Sequence, residues 1–377
     1  MIGVLVVSSE LQDNTELEIE RLGLKVTEEA EEVSGIVVLV ATGGTERKIE
    51  RMVKSAEVPL MLWALPGNNS LAAALEVYSV YKDRAKLLYS PVNDAALGEI
   101  KRFERVCDAM QRMKKKRIGL IGGVSDWILT SRIEDIRRFG LDVREIETQE
   151  LLDSLEAEEV PEILERSEPY EGLDKSLELH AALRSLVAEY GLDALSIRCF
   201  DLLKDNMTAC IGLALLNDEG IIAGCEGDLQ ALATLLIASE FNRKVWMANV
   251  ARIDREKNTV IFAHCTIAPS LLASRELTTH MESGKGVAIH GPLRERGRVT
   301  IARIGGEMDR MTVLCGEIAE SDMGHKDLCR TQLEIRLDTD VDDFLENALG
   351  NHHVIVFDDI SEDLRDFCRF KGIKIAE

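Results

Sequence analysis

The first hundred residues of the chain alternate apolar runs with amphipathic stretches. Apolar runs at residues 2–7, 35–40 and 60–65 are each followed by a segment whose apolar positions have helical spacing. Uninterrupted apolar strands joined by helices are typical of a parallel sheet covered on both faces. The pattern therefore predicts a first α/β domain over residues 1–115.

The same alternation resumes at residue 117, where an apolar run leads into Gly122 and Gly123. A strand-like run at 194–199 and helix-like runs at 208–216 and 229–239 follow it. This second set of alternating elements predicts another α/β domain, over residues 116–244.

After residue 243 the pattern changes to short strand-like runs separated by turns. These runs lie at residues 245–250, 259–264, 285–289, 299–304 and 311–316. Consecutive short strands favour an antiparallel sheet or barrel over further βαβ units. The predicted fold is therefore of the α/β class, with two Rossmann- or flavodoxin-like parallel-sheet domains and a β-rich, barrel-like C-terminal domain over residues 245–377.

Composition restricts the classes of partner and the compartment. Hydrophobic residues make up 46% and charged residues 30% of the 377, the balance of a globular protein, and the formal charge is −22. That charge disfavours nucleic acid and anionic membrane surfaces, and no apolar stretch approaches the roughly 20 residues of a membrane span. The N-terminus lacks a signal-peptide pattern, and the eight cysteines include no CxxC pair. We therefore expect reduced thiols, a cytoplasmic location, and neither a nucleic-acid nor a membrane partner.

Glycine-rich turns and polar residues follow several of the predicted strands. The loops at 41–46 and 122–127 each lie between a strand and a helix, where hydroxyl-rich ligands or anions can bind, but neither matches a dinucleotide or P-loop pattern. The candidates for a sugar-binding surface at such strand ends are Asn69, Ser70, Ser125, Asp126 and Trp127. Ordinary tight turns, and core packing for Trp127, account for the same residues equally well.

Three acidic residues follow predicted strands of the second domain. Glu226 comes after an apolar run, so a buried carboxylate there needs a partner or a shifted pKa. It is a candidate catalytic group and metal ligand, with a salt bridge as the alternative. Asp228 is a candidate catalytic group or the N-cap of the next helix, and Asp201 is a candidate ligand, orienting group or cap.

Candidate metal ligands include His264 and one member of the pair His352 and His353. His264 closes a predicted strand, and a lone strand histidine is more often structural than a ligand. His352 and His353 are adjacent at the start of an apolar run, so on a strand they point to opposite faces and at most one reaches a given ion.

Taken together, these segments resemble the L-fucose/L-arabinose isomerase superfamily, and in particular short fucose-isomerase-like proteins. The segments that carry the resemblance are Arg198-Cys199-Phe200-Asp201, Cys225-Glu226-Gly227-Asp228, Ala263-His264-Cys265 and Gly350-Asn351-His352-His353. The resemblance implies two α/β domains before a β-rich domain, a divalent ion such as Mn²⁺, and interconversion of aldoses and ketoses. It assigns the ligand roles to Glu226, to His353 as the second member of the pair, and to His264.

The sequence departs from the family at the second acidic ligand, where Asn249 stands. An amide oxygen can coordinate a hard cation, but it cannot accept a proton as a general base at neutral pH. Asp201 or Asp228 is then the hypothesis for the missing proton-transfer partner.

The sequence therefore predicts a metal-dependent aldose–ketose isomerase acting on a small sugar through an enediolate. The alternatives are another metal-dependent reaction on the same scaffold, by a carbohydrate lyase or epimerase, and a non-catalytic sugar-binding protein. The resemblance also implies a homo-oligomer with shared active sites, in which Glu46, Asn69 and Ser70 would belong to a neighbouring subunit's pocket.

Overall fold

The computed structural model describes residues 2–8, 33–155, 161–164 and 170–376. The helix expected after the first strand lies outside these residues. The chain forms two compact units, one of residues 1–112 and 363–374 and the other of residues 113–362 and 375–377. The division into three domains stays a prediction.

The strands and helices are numbered in chain order within the described residues. The strands are β1 Ile2–Val7, β2 Gly35–Val40, β3 Leu60–Ala64, β4 Ala85–Tyr89, β5 Arg117–Ile121, β6 Asp142–Ile146, β7 Ala194–Ile197, β8 Ile222–Cys225, β9 Val245–Asp254, β10 Thr259–His264, β11 Glu276–Thr278, β12 Ala288–His290, β13 Arg298–Gly305, β14 Arg310–Ser321, β15 Thr331–Leu337, β16 His352–Val356 and β17 Lys374–Ile375. The α-helices are α1 Glu46–Val53, α2 Ser70–Tyr81, α3 Asp94–Met113, α4 Ile133–Phe139, α5 Thr148–Asp153, α6 Leu173–Tyr190, α7 Cys210–Asp218, α8 Leu229–Ser239, α9 Val341–Glu346 and α10 Ser361–Lys371.

The first unit contains a parallel sheet in the order β1-β2-β3-β4. Every residue of β2 and β3 is buried, which is why these runs are apolar without the alternation of a half-exposed strand. Residues 363–371 of α10 belong to this unit. The buried Asp363 carboxylate of this helix forms an ion pair with Arg105 of α3, with Nη2 2.6 Å from Oδ1.

The second unit combines a parallel sheet with an antiparallel barrel. The sheet has the order β6-β5-β7-β8, and six strands close the barrel in the order β13-β16-β9-β10-β15-β14, with β14 pairing back to β13. The predicted fold class is therefore confirmed. The run predicted as a strand at 285–289 instead contributes to the short β12, which pairs with β11 outside the barrel.

Helix α8 joins the parallel sheet to the barrel. All eleven of its residues are buried, because it packs against β8 on one side and against β9, β13 and β16 on the other. A largely apolar helix without a polar face is stable only when it is enclosed in this way. Its N-terminus therefore lies where the end of β8 meets the barrel strand β16.

Among the described residues, no helix combines the length and apolarity needed to cross a membrane.

Candidate metal centre and adjoining pocket

The turn between β8 and α8 gives Glu226 an unusual backbone conformation. Glu226 has a φ of 62° and Gly227 a φ of 68°, both in the left-handed region. A Cβ atom on Gly227 would lie 2.3 Å from the carbonyl oxygen of Gly123, so only glycine fits here. The Ser125 amide donates to the Glu226 carbonyl at 3.0 Å, so the loop after β5 holds this turn in place.

Glu226, His264 and His352 each offer one ligand atom, and these three atoms lie within 4.8 Å of one another. The barrel register brings His264 and His352 close together, because Asn249 of β9 pairs with His352 on one side and with Ala263, beside His264, on the other. The imidazoles are buried, with 4% of His264 and none of His352 exposed. Two imidazoles and a carboxylate are a donor set that suits a divalent transition metal.

The charge states of two of these groups favour a cation. Burial opposes ionisation of Glu226, but His352, His264 and the Trp127 indole outweigh it and hold the pKa of this carboxyl at about 2. Burial lowers the pKa of His264 to about 4, and the neighbouring His352 adds to the effect. An ionised carboxylate and a neutral imidazole are the forms that bind metal.

His352 has one nitrogen engaged and one without a partner. Its Nδ1 lies 3.0 Å from Asp228 Oδ2, whereas its buried Nε2 has no hydrogen-bond partner among the described residues and lies 3.7 Å from Glu226 Oε1. Burial opposes protonation of this ring, yet Asp228 and Glu226 together raise its pKa. A buried nitrogen that faces a carboxylate without a hydrogen bond fits a ligand position.

The structure directs His353 away from this cluster. Its ring packs against Phe262 and Phe344 with centroid distances of 6.1 and 5.1 Å, and its Nδ1 lies 3.2 Å from the Asn351 carbonyl oxygen. Burial, reinforced by Arg303, lowers its pKa to about 3. The resemblance assigned the ligand role to the second histidine of the pair, but the cluster with Glu226 and His264 contains the first.

A pocket of about 410 Å³ opens beside Glu226. Its lining includes Trp127, Phe200, Asn249, Asn351, Glu282, Asp327 and Cys329. Trp127 is 48% exposed, and its indole donates its N–H to Glu226 Oε2. The indole contacts the Phe200 ring edge-on, with 4.8 Å between the ring centroids. A pocket lined by aromatic, carboxylate and amide side chains can bind a polyhydroxylated ligand.

Asn249 lines this pocket on the barrel side. Asn351 donates its amide N–H to Asn249 Oδ1 at 2.8 Å, so the oxygen is already oriented by a neighbour.

The other predicted site residues have structural contacts. Asp228 is the N-cap of α8, and its carboxylate accepts from the Ala231 amide at 3.0 Å. Asp126 and Asp201 both pair with Arg198, at 2.9 and 3.3 Å, and Ser125 is 1% exposed.

Ser70, Asn69 and Glu46 belong to the first unit. Ser70 is fully buried, donates to the Val40 carbonyl and accepts from the Leu65 amide at 2.7 Å, so it joins the ends of β2 and β3. Asn69 has a φ of 55° and is the N-cap of α2, and Glu46 lies in the first turn of α1.

Sequence reasoning missed Arg303, Phe200 and Glu282 as neighbours of the site. Arg303 interrupts the apolar strand β13 and is fully buried, so a charged residue within an apolar run was the one available signal. Phe200 and Glu282 carry no such signal, since Phe200 lies in a short 3-10 helix and Glu282 in a turn.

No protein-family model matches the chain. Curated relatives include the sulfoquinovose isomerase of Alkalicoccus urumqiensis, 24% identical over 348 residues that cover 84% of this chain and 77% of that protein. The sulfoquinovose isomerases of Clostridium sp. (strain MSTE9) and Priestia aryabhattai are also 24% identical, covering 81% and 84% of this chain and 74% and 76% of theirs. These similarities confirm the prediction that the chain is an enzyme of the isomerase class, while its membership of the fucose/arabinose isomerase superfamily stays a prediction.

Proposed function

We propose that this protein is a metal-dependent aldose–ketose isomerase, with its active site at the pocket beside Glu226. The observation that carries the proposal is that Glu226, which lines the pocket, lies within ligand distance of the buried His264 and His352. The isomerases to which the chain is similar support the reaction class.

The residues present fit a divalent ion. Glu226, His264 and His352 would hold it, with Asn249 as a further oxygen donor from the pocket lining. Mn²⁺ is the ion we expect, and when bound it would supply Lewis-acid chemistry that acidifies the C–H next to the substrate carbonyl.

Glu226 is the proposed proton carrier. In the forward direction its carboxylate takes the proton from C2 of the aldose, and the electron pair of that C–H bond forms the C1–C2 double bond of an enediolate. The same proton returns to C1, and transfer of the hydroxyl proton from O2 to O1 completes the ketose. Glu226 is ionised at neutral pH, which this role requires.

Asp228 and Asp201 do not serve as the second base in this proposal. The Asp228 carboxylate is fully buried and engaged with the helix N-terminus and His352, and Asp201 is paired with Arg198. Asn249 cannot replace them, so Glu226 acts as the proton carrier by itself.

The Trp127 indole positions both Glu226 and the substrate. Its N–H holds Glu226 Oε2, leaving Oε1 on the side of His352, and its exposed face offers a surface on which a sugar ring can stack. Phe200 fixes the indole from its edge.

The test combines metal content with turnover of sugars. We expect protein purified without chelator to hold close to one divalent ion per chain and to convert aldoses to ketoses, followed by ¹H NMR. Sulfoquinovose and its unsulfonated analogue quinovose are the first substrates to try, because they differ only in the sulfonate.

The matched variants are Glu226→Gln and Glu145→Gln, the latter on the exposed face of β6. Loss of turnover by about 10²-fold or more in Glu226→Gln but not in Glu145→Gln supports the proposal. Full turnover in Glu226→Gln with the metal retained would exclude Glu226 as the base. Sugar binding by a wild-type protein that takes up no metal would favour the non-catalytic alternative.

A further inference from the structure

A buried ionic network lies directly behind His352. Its members are Asp228, Arg303 and His352, and none of the three has measurable exposure. Buried ion pairs of this kind add little net stability, because the cost of removing the charges from water offsets their attraction. Their arrangement around one imidazole calls for another explanation.

Asp228 is saturated with hydrogen bonds that fix its orientation. It caps helix α8 through the Ala231 amide and accepts from the Ser131 hydroxyl at 3.1 Å. Arg303 approaches it with Nη1 at 2.9 Å from Oδ2 and Nη2 at 3.3 Å from Oδ1. Asp228 Oδ2 also lies 3.0 Å from Nδ1 of His352.

Arg303 also holds the backbone that carries His352. Its Nη1 donates to the His352 carbonyl at 2.7 Å, its Nε donates to the Leu349 carbonyl at 3.3 Å, and its Nη2 donates to the Thr130 hydroxyl at 2.9 Å. A Cβ on Gly350 would lie 2.4 Å from the Arg303 Nε, so a glycine is needed for the guanidinium to lie beneath this turn.

We propose that Asp228 and Arg303 are positioning residues that set the tautomer and direction of His352 as a metal ligand. The Ala231 amide, the Ser131 hydroxyl and Arg303 all donate to the Asp228 carboxylate, so it acts as an acceptor. It then takes the Nδ1–H of His352 and leaves the Nε2 lone pair on the side of Glu226. Arg303 donates to both Asp228 oxygens and to the His352 carbonyl, so it fixes the carboxylate and the His352 main chain at the same time. Carboxylate–histidine–metal arrangements act in this way, and loss of the outer carboxylate typically weakens metal binding by about 10–100-fold.

This inference rests on the proposed metal site, and it changes the role of Asp228. The sequence offered Asp228 as a second catalytic group or as a helix cap. Asp228 is not among the described residues that line the pocket, and its carboxylate contacts His352, so it acts through His352.

The principal test is Asp228→Asn, with metal affinity measured by isothermal titration of Mn²⁺ into metal-free protein. Asparagine preserves the shape and a cap acceptor, but its amide N–H can donate to Nδ1 and favour the Nε2–H tautomer, which cannot bind the ion. We expect about 10–100-fold weaker binding by a protein that is still folded by circular dichroism, and a lower thermal midpoint because the buried Arg303 loses its carboxylate partner.

Asp340→Ser and Asp228→Ser separate positioning from capping. Asp340 is the N-cap of α9 and accepts from the Asp342 amide at 2.8 Å, so both variants exchange one helix-capping carboxylate for a hydroxyl. The proposal expects the Asp340 variant to bind Mn²⁺ as the wild type does, and the Asp228 variant to bind it more weakly. Equal affinity in the two variants would show that Asp228 is only a cap.

A measurement on the wild type keeps the test independent of whether the Asp228 variants fold. Long-range ¹H–¹⁵N correlation spectra of histidine-labelled, metal-free protein at alkaline pH report the tautomer, with His352→Gln used for assignment. Protonation at Nδ1 of His352 is expected, and protonation at Nε2 would overturn the inference. Failure of the wild type to bind any divalent ion would overturn the proposed function as well, whereas wild-type binding with unchanged affinity in Asp228→Asn would overturn the positioning role alone.

Discussion

His352 and His353 are adjacent in the chain, yet their rings lie on opposite faces of strand β16. His352 meets Asp228 and Glu226, whereas His353 packs against Phe262 and Phe344. One peptide bond therefore separates a candidate ligand from a side chain enclosed by aromatic rings.

This relationship predicts different effects for two neighbouring substitutions. His352→Ala removes a donor from the cluster, so we expect metal binding to be lost, as judged by mass spectrometry of the bound ion. His353→Leu keeps the volume of a buried apolar position, so binding should remain within a few-fold of the wild type. Retention of metal by the first variant and loss by the second would reverse the assignment.

The burial of His353 also predicts a pH dependence of stability. Its folded pKa of about 3 is depressed below the ordinary 6.5, so the unfolded chain takes up a proton at a higher pH than the folded one does. The stability it contributes is complete above pH 6.5 and is lost as the pH falls from 6.5 toward 3. Between pH 7.5 and 5 we expect a loss of about 2 kcal/mol in unfolding free energy from this group.

Denaturant titrations of His353→Leu at several pH values check this. The variant should show a shallower pH dependence than the wild type, while His264, with a pKa of about 4, contributes a loss of the same sign in both. His325→Leu is the control, since His325 is only partly buried. An unchanged slope in His353→Leu would contradict the assigned environment.

The turn at Gly227 predicts a large cost for a single methyl group. Gly227→Ala adds a Cβ 2.3 Å from the Gly123 carbonyl oxygen at a φ of 68°, so the loops must separate and Glu226 must move. We expect a loss of about 3 kcal/mol in unfolding free energy, together with weaker metal binding.

Gly220→Ala is a matched control for that variant. Gly220 has a φ of 85° with nothing within 4 Å of an added Cβ, so it isolates the backbone cost of about 1 kcal/mol. Equal destabilisation of the two variants, measured by urea unfolding, would show that the close approach to Gly123 does not constrain the turn.

The charges of the pocket predict a preference among substrates. Glu282 and Asp327 line it together with Glu226, and no Lys or Arg is among its lining residues in the described part of the chain. Arg252 offsets Asp327 at 2.9 Å, which leaves Glu282 to repel an anionic substituent. We expect kcat/KM for quinovose to exceed that for sulfoquinovose by roughly tenfold.

Comparison of Glu282→Gln with the wild type tests the source of that preference. In Glu282→Gln the kcat/KM values for quinovose and sulfoquinovose should become more nearly equal. Glu145→Gln, on the exposed face of β6, should leave their ratio unchanged. A wild-type enzyme that favours the sulfonated sugar would show that the carboxylates of the lining do not determine selectivity.

Much of the fold could be predicted from the sequence because the two kinds of strand have different patterns. Strands β2 and β3 are buried on both faces and read as continuous apolar runs, and four of the five short runs predicted after residue 243 lie in strands of the antiparallel barrel. The predicted strand at 285–289 begins three residues before the observed strand β12. The bounds of β12 are set by its pairing with the short β11, which the local sequence does not show.

The candidate site was predictable as a set of residue types, but its membership was not. Glu226 follows a buried strand and His264 closes another, and both belong to the observed cluster. Asp228 and Ser70 also follow strands, yet one caps α8 and the other joins β2 to β3. A polar residue at a strand end has the same local sequence signal in each case.

The sequence by itself determined the order of α/β and β-rich regions, the apolar helix α8, and the presence of a carboxylate and imidazoles at strand ends. These follow from hydrophobic periodicity and residue chemistry, which are local properties. Only the tertiary structure decided that His352 rather than His353 joins Glu226, and that Arg303 lies behind it. The face that a strand residue occupies depends on its register in the barrel, and register is fixed by packing between segments distant in the chain.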